Sequence, residues 1–111
     1  MEIKKIYDYF LDTLSHCGSF ILSSNYDTIN YEIFEEFDIG VITFLHKDSL
    51  NQLFDAEMIT LDVYNKCYIL REKVLELQNL GLWKIDLVKT NEKWREVIIL
   101  CDEIHNIMDS K

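Results

Sequence analysis

Leu61-Asp62-Val63-Tyr64-Asn65-Lys66-Cys67-Tyr68-Ile69-Leu70-Arg71-Glu72-Lys73-Val74-Leu75-Glu76-Leu77-Gln78-Asn79-Leu80 is the stretch that decides the fold. Val63, Cys67, Leu70, Val74 and Leu77 recur at steps of four and three, the seam of one packed α-helix. Thr60 restarts the pattern ahead of it and Gly81 closes it behind. A helix of this length must cover its seam with other elements of the same chain, so the flanking sequence is read for helices that can do so.

Downstream, Thr90-Asn91-Glu92-Lys93 supplies a cap and an acidic first turn for a last helix to about Met108, burying Trp94, Val97, Ile98, Cys101, Ile104 and Met108. Upstream, Asp48 caps a helix through Leu50, Leu53 and Phe54 that ends near Met58. At the N-terminus, Ile3, Ile6, Tyr7, Phe10, Leu11 and Leu14 mark a first helix that stops at Gly18. Asp27 or Thr28 caps another running to about Phe37, with Ile29, Ile33, Phe34 and Phe37 inward and Asn30, Glu32, Glu35 and Glu36 largely outward. Two segments stay open. Ser19 to Ser24 is too short to assign, and β-branched Ile39 to Leu45 fits a buried strand but lacks a partner strand, which favours a helix or turn.

The chain has 111 residues, 49% of them hydrophobic, which is enough for one core and too little for two domains. Three glycines and no proline leave few tight-turn positions and argue against sandwiches, barrels and glycine-cradled phosphate sites. The expected architecture is all-α, a compact single-domain bundle of about five helices over residues 1–111. No apolar run approaches the roughly 20 residues of a membrane span, and no secretory leader pattern opens the chain, so a cytoplasmic setting is expected.

Little here points to catalysis. Cys17, Cys67 and Cys101 are an odd, widely spaced set and read as free thiols. His16, His46 and His105 have no histidine or cysteine at i+3 or i+4, so no metal and no cofactor are expected. The neighbours His16 and Cys17 point in different directions on a helix and lack a third, orienting group. Glu32 with Glu35 or Glu36 has the spacing of an acid–base carboxylate pair, which leaves a small carboxylate enzyme as an alternative.

Charge is the unusual feature. The net charge is −9, and between Ile6 and His46 stand Asp8, Asp12, Asp27, Glu32, Glu35, Glu36 and Asp38 with no lysine or arginine. Helices ordinarily mix signs to relieve like-charge repulsion. Tyr7, Tyr9, Tyr26 and Tyr31 are interleaved with these acids, and tyrosine suits protein interfaces. Such a face repels nucleic acid and anionic membranes and complements a basic protein, such as a nuclease with its positive phosphate-binding cleft. The expected contact residues are Tyr26, Asp27, Tyr31, Glu32, Glu35, Glu36 and Asp38.

Leu70-Arg71-Glu72-Lys73-Val74-Leu75-Glu76-Leu77, Leu82-Trp83, Glu92-Lys93-Trp94-Arg95-Glu96-Val97 and Leu100-Cys101-Asp102-Glu103-Ile104 carry a resemblance, joined by Ser49-Leu50-Asn51-Gln52-Leu53-Phe54 with Met58-Ile59. Together they resemble the C-terminal half of small helical immunity proteins of bacterial polymorphic-toxin and contact-dependent growth inhibition systems, over about residues 48–107. The resemblance implies a non-enzymatic cytoplasmic antitoxin that binds one cognate toxin domain, often a nuclease, and blocks its active site or substrate entry. It carries no functional residue across, because the matching positions are packing positions. A helical adaptor that self-associates through the Val63 to Leu77 seam is the other alternative.

Overall fold

In the computed structural model, which describes residues 2–110, the chain forms α1 (Ile3–Ser15), α2 (Tyr26–Ile29), a π-helical stretch (Asn30–Phe37), α3 (Asp38–Phe44), α4 (Lys47–Asp55), α5 (Leu61–Asn79) and α6 (Glu92–Asp109). Short 3-10 turns occupy Ser19–Ser23 and Ile85–Leu87. Since α2, the π stretch and α3 continue without a break, the bundle consists of five rods, and among the described residues it is all-α. No helix is long and apolar enough to cross a membrane.

α5 forms as its seam requires. Thr60 Oγ1 accepts the Val63 N–H at 3.2 Å, and Gly81 ends the helix at φ +73°, a conformation that glycine adopts without a Cβ clash. Its seam residues are each 1% exposed or less, packed mainly against α6. That disposes of self-association through this seam, since the monomer's own core uses it up. Lys66–Glu103, Lys73–Glu96 and Glu76–Lys93, at 3.8, 3.6 and 2.6 Å, step along α5 and α6 at matching distances from their connection. The pair is therefore antiparallel, with register marked by ion pairs that each contribute little to stability.

The rod over residues 26–44 differs most from expectation. Its N-cap is Asn25, whose side chain accepts the Thr28 N–H at 2.9 Å, so neither Asp27 nor Thr28 caps it. Nor does it end at Phe37. It runs on through Asp38–Phe44, so the β-branched segment is helical. The π geometry has a readable cause. Ile29, Ile33, Phe37, Val41 and Leu45, each 1% exposed or less, are spaced by four throughout. In an α-helix every four-residue step drifts about 40°, which would carry this row off the core face. The wider π turn, at roughly 80° per residue, drifts the other way and brings the row back.

α4 also begins and ends earlier than expected. His46 is its N-cap, its Nδ1 accepting the Asp48 N–H at 3.1 Å. The helix stops at Asp55, and Glu57 follows with φ +60°. The Phe20 block is a 3-10 turn that buries Ile21 and exposes Phe20 and Leu22. All three cysteines are buried and free. Burial pushes the Cys67 thiol up to about 12, and burial together with the neighbouring Cys17 raises Cys101 well above the ordinary range, so neither thiol is a nucleophile.

Candidate functional site

α1 and the 26–44 rod pack antiparallel, and the seam between them organises the acidic region. From one end to the other, Tyr9 stacks on Phe44 at 5.0 Å, Thr13 meets Gly40, and His16 meets Glu36. A Cβ built on Gly40 would lie 2.2 Å from Thr13 Oγ1, so the two backbones approach as only a glycine permits.

His16, the C-cap of α1, sits at the end of this seam and is only 14% exposed. Its Nδ1–H donates to Glu32 Oε2 at 2.5 Å, while Nε2 faces Asp12 Oδ2 at 3.2 Å and Glu36 Oε2 at 3.9 Å. The Tyr31 ring meets the imidazole edge-on at 6.4 Å. Burial opposes the imidazolium, but the hydrogen bonds to Glu32 and Asp12 and the charges of both outweigh it, so the histidine titrates above its ordinary 6.5. The Tyr31 phenol is likewise held up, first by the Glu36 charge, then by burial, and further by Glu32, Asp12 and Glu35. The acids do create a negative field, but His16 lies within it and offsets part of it.

This arrangement has a pH consequence. A histidine whose folded pKa is raised contributes stability in full below its unfolded value near 6.5 and loses that contribution as pH rises through the folded value. Denaturant unfolding is expected to show stability falling as pH rises above 6.5 over this window, and His16→Gln is expected to flatten that dependence. An unchanged slope in the variant would assign the effect to other groups.

The seven expected contact residues divide into two sets. Tyr26, Asp27, Tyr31 and Glu35 are exposed, with Tyr26 also beneath Lys89 Nζ at 6.0 Å. Glu32 and Glu36 do not point freely outward as expected; they turn toward His16 across the seam and are partly covered. Asp38 accepts a hydrogen bond from Gln78 Nε2 of α5 at 3.2 Å, and burial raises its carboxyl above the usual range against that bond's opposing pull. Two residues that sequence reading placed in a structural segment join the exposed set. Ile39 and Ile42 are 64% and 57% exposed on the outward side of the rod, in line with Tyr31 and Glu35. The β-branched block containing them looked like core, and only the continuation of the rod turns them out.

The other histidines have local partners: His46 caps α4, and His105 Nε2–H donates to the Leu14 carbonyl at the end of α1. Cys17, beside His16 in sequence, is fully buried while the imidazole faces the carboxylates, so no thiol–base pair forms. A surface hollow lined by Tyr68, Ile69, Glu72, Leu75 and Leu80 lies along α5 and includes none of the seven expected contact residues. No family model matches the chain, and neither a curated protein nor a solved structure matches it.

Proposed function

We propose that this chain is an immunity protein of a bacterial toxin system, acting in the cytoplasm by binding the cognate toxin domain rather than by catalysis. The observation that carries this reading is the outward side of the 26–42 region. It presents Tyr31, Glu35, Ile39 and Ile42 in a row, with Tyr26 and Asp27 at one end, on a stretch of chain that itself carries no lysine or arginine, Lys89 reaching only the Tyr26 end. Exposed tyrosine and isoleucine provide area that a partner can bury, and the carboxylates select a basic surface such as a nuclease cleft. π-helical segments recur at functional sites, and this one carries Tyr31 and Glu35 of the row. The resemblance of residues 48–107 to helical immunity proteins supports the same role. On this reading Asp27 and Glu35 make the outward electrostatic contacts, while Glu32, Glu36 and Asp38 hold the face in shape. The net charge of −9 disfavours nucleic acid and membrane as alternative partners.

The test is co-expression with the basic domain encoded in the neighbouring reading frame, followed by affinity measurement on the purified pair. The wild-type chain is expected to restore growth. Ile39→Ala with Ile42→Ala is expected to weaken the complex by about 2 kcal/mol or more, chiefly through faster dissociation. Asp27→Lys with Glu35→Lys is expected to slow association and reduce its salt dependence. Full protection and unchanged affinity in the combined variant would reject this face as the docking surface.

A second reading rests on a separate observation. α5 also carries Leu61, Tyr68 and Ile69 exposed on its outer side, with exposed Leu80 at its C-cap. Self-association of an adaptor through this side predicts a dimer by light scattering, whereas a monomer at working concentration removes it.

A further inference from the structure

We propose that Asp12, His16 and Glu36 form a binding site for a first-row divalent transition metal, with Zn2+ as the favoured occupant and Glu32 as the residue that orients the imidazole. This inference stands independently of the toxin-binding reading.

The geometry carries it. Asp12 Oδ2, His16 Nε2 and Glu36 Oε2 all lie within 4.8 Å of one another. Ligands bound to zinc at about 2.1 Å in tetrahedral geometry stand roughly 3.4 Å apart. The observed Nε2 separations of 3.2 and 3.9 Å bracket that value, and the two carboxylate oxygens, within 4.8 Å of each other, belong to partly exposed side chains that can adjust around an ion. The donors come from two rods, Asp12 and His16 one turn apart on α1 and Glu36 from the π stretch, and the Gly40–Thr13 approach sets the spacing between those rods.

The other ring nitrogen points the same way. Nδ1–H donates to Glu32, the carboxylate–histidine arrangement that holds a metal-ligating imidazole in its tautomer and directs the Nε2 lone pair at the metal. In the neutral ring that lone pair faces two carboxylate oxygens, so either a proton on Nε2 or a metal ion between the three atoms satisfies them, and at alkaline pH the metal replaces the proton. Charge also favours a metal. An imidazolium leaves the three surrounding carboxylates with two uncompensated negative charges, whereas a divalent cation on a neutral ring leaves one. The mixed nitrogen and oxygen donors select Zn2+ and its neighbours over Ca2+ and Mg2+, which prefer oxygen alone. Asp12 is 61% and Glu36 40% exposed, so water can reach the remaining coordination position.

Sequence reading missed this site because it sought a second histidine or cysteine on the same helix. The third ligand comes from a residue 20 positions beyond His16, and only the packing of the rod on α1 brings it there.

The test uses the full chain, treated with chelator and then titrated with Zn2+ by calorimetry at mildly alkaline pH. Co2+ serves as a spectroscopic probe through its ligand-field absorption. One equivalent of Zn2+ is expected to bind and to raise the melting temperature, and Co2+ is expected to show an imidazole-containing spectrum. Asp12→Asn with Glu36→Gln is expected to abolish binding, as is His16→Gln, with helicity by circular dichroism reporting that each variant is folded. Glu32→Gln is expected to weaken Zn2+ about ten- to a hundredfold at unchanged stoichiometry. Glu35→Gln, outside the cluster, is expected to leave it unaltered. The proposal is overturned by the absence of saturable Zn2+ binding up to about 1 mM. Equal affinity for Ca2+, or full Zn2+ affinity in the folded Asp12→Asn, Glu36→Gln variant, overturns it as well.

Discussion

Trp94→Ala is expected to lower the unfolding free energy by about 3–5 kcal/mol, a large share of what a domain this size possesses. Trp94 is fully buried near the start of α6 and stacks on Trp83 with ring centroids 4.7 Å apart. Phe34 of the π stretch reaches both indoles, at 5.4 and 6.0 Å. The indole N–H donates to the Leu82 carbonyl at 2.7 Å, which fixes the connection between α5 and α6. Truncation therefore opens a cavity where three elements meet and removes one of the two hydrogen bonds that the Leu82 carbonyl accepts, leaving that from the Lys84 N–H at 2.8 Å. Trp94→Phe keeps an aromatic ring and most of the apolar area while removing the hydrogen bond and leaving a smaller cavity, and is expected to cost about 1–3 kcal/mol. Urea denaturation followed by circular dichroism measures both, with Tm expected to fall on the order of 15 °C for the alanine variant. A loss under 1 kcal/mol for Trp94→Ala would mean that this aromatic junction is not part of the cooperative core.

The second large effect is expected at Gly40. A Cβ there would lie 2.2, 2.5 and 2.8 Å from Thr13 Oγ1, Cγ2 and Cβ. Threonine is β-branched, and this one is further held by the hydrogen bond from its hydroxyl to the Tyr9 carbonyl at 2.9 Å, so it has no room to yield. The rods must then separate. Gly40→Val is expected to destabilise by about 3 kcal/mol despite valine's better helix propensity than glycine's. Gly40→Ala should cost less, and adding Thr13→Ala should recover part of that loss, because it removes the two closest atoms. A double-mutant cycle measures this coupling, expected at about 1 kcal/mol or more. Strict additivity would show that α1 and α3 accommodate the added carbon elsewhere. The same separation draws Glu36 away from His16, so the Gly40 variants should also weaken Zn2+ binding if the proposed site forms.

What was legible in the sequence was local and periodic. The α5 seam, its Gly81 stop and the capping run Thr90-Asn91-Glu92-Lys93 ahead of α6 are decided within one or two turns of chain, where residue spacing and capping chemistry act directly. The charge asymmetry of residues 6–46 is a property of composition and needs no fold. The rod over 26–44 was legible only in part. Its apolar row at steps of four suits neither a regular α-helix nor a strand, and the π turn that accommodates it is selected by packing against α1 and the core.

Of the acids, the sequence by itself determined their number, their sign and the absence of lysine and arginine among them. Which are available to a partner was decided by the tertiary structure alone. Glu32, Glu36 and Asp38 find His16 and Gln78 across helix pairs, while Asp27 and Glu35 remain outward beside Ile39 and Ile42. The physical reason is range. Caps and helical periods act between neighbours in the chain, whereas a carboxylate's environment depends on residues 16 to 40 positions away, which meet only when rods pack.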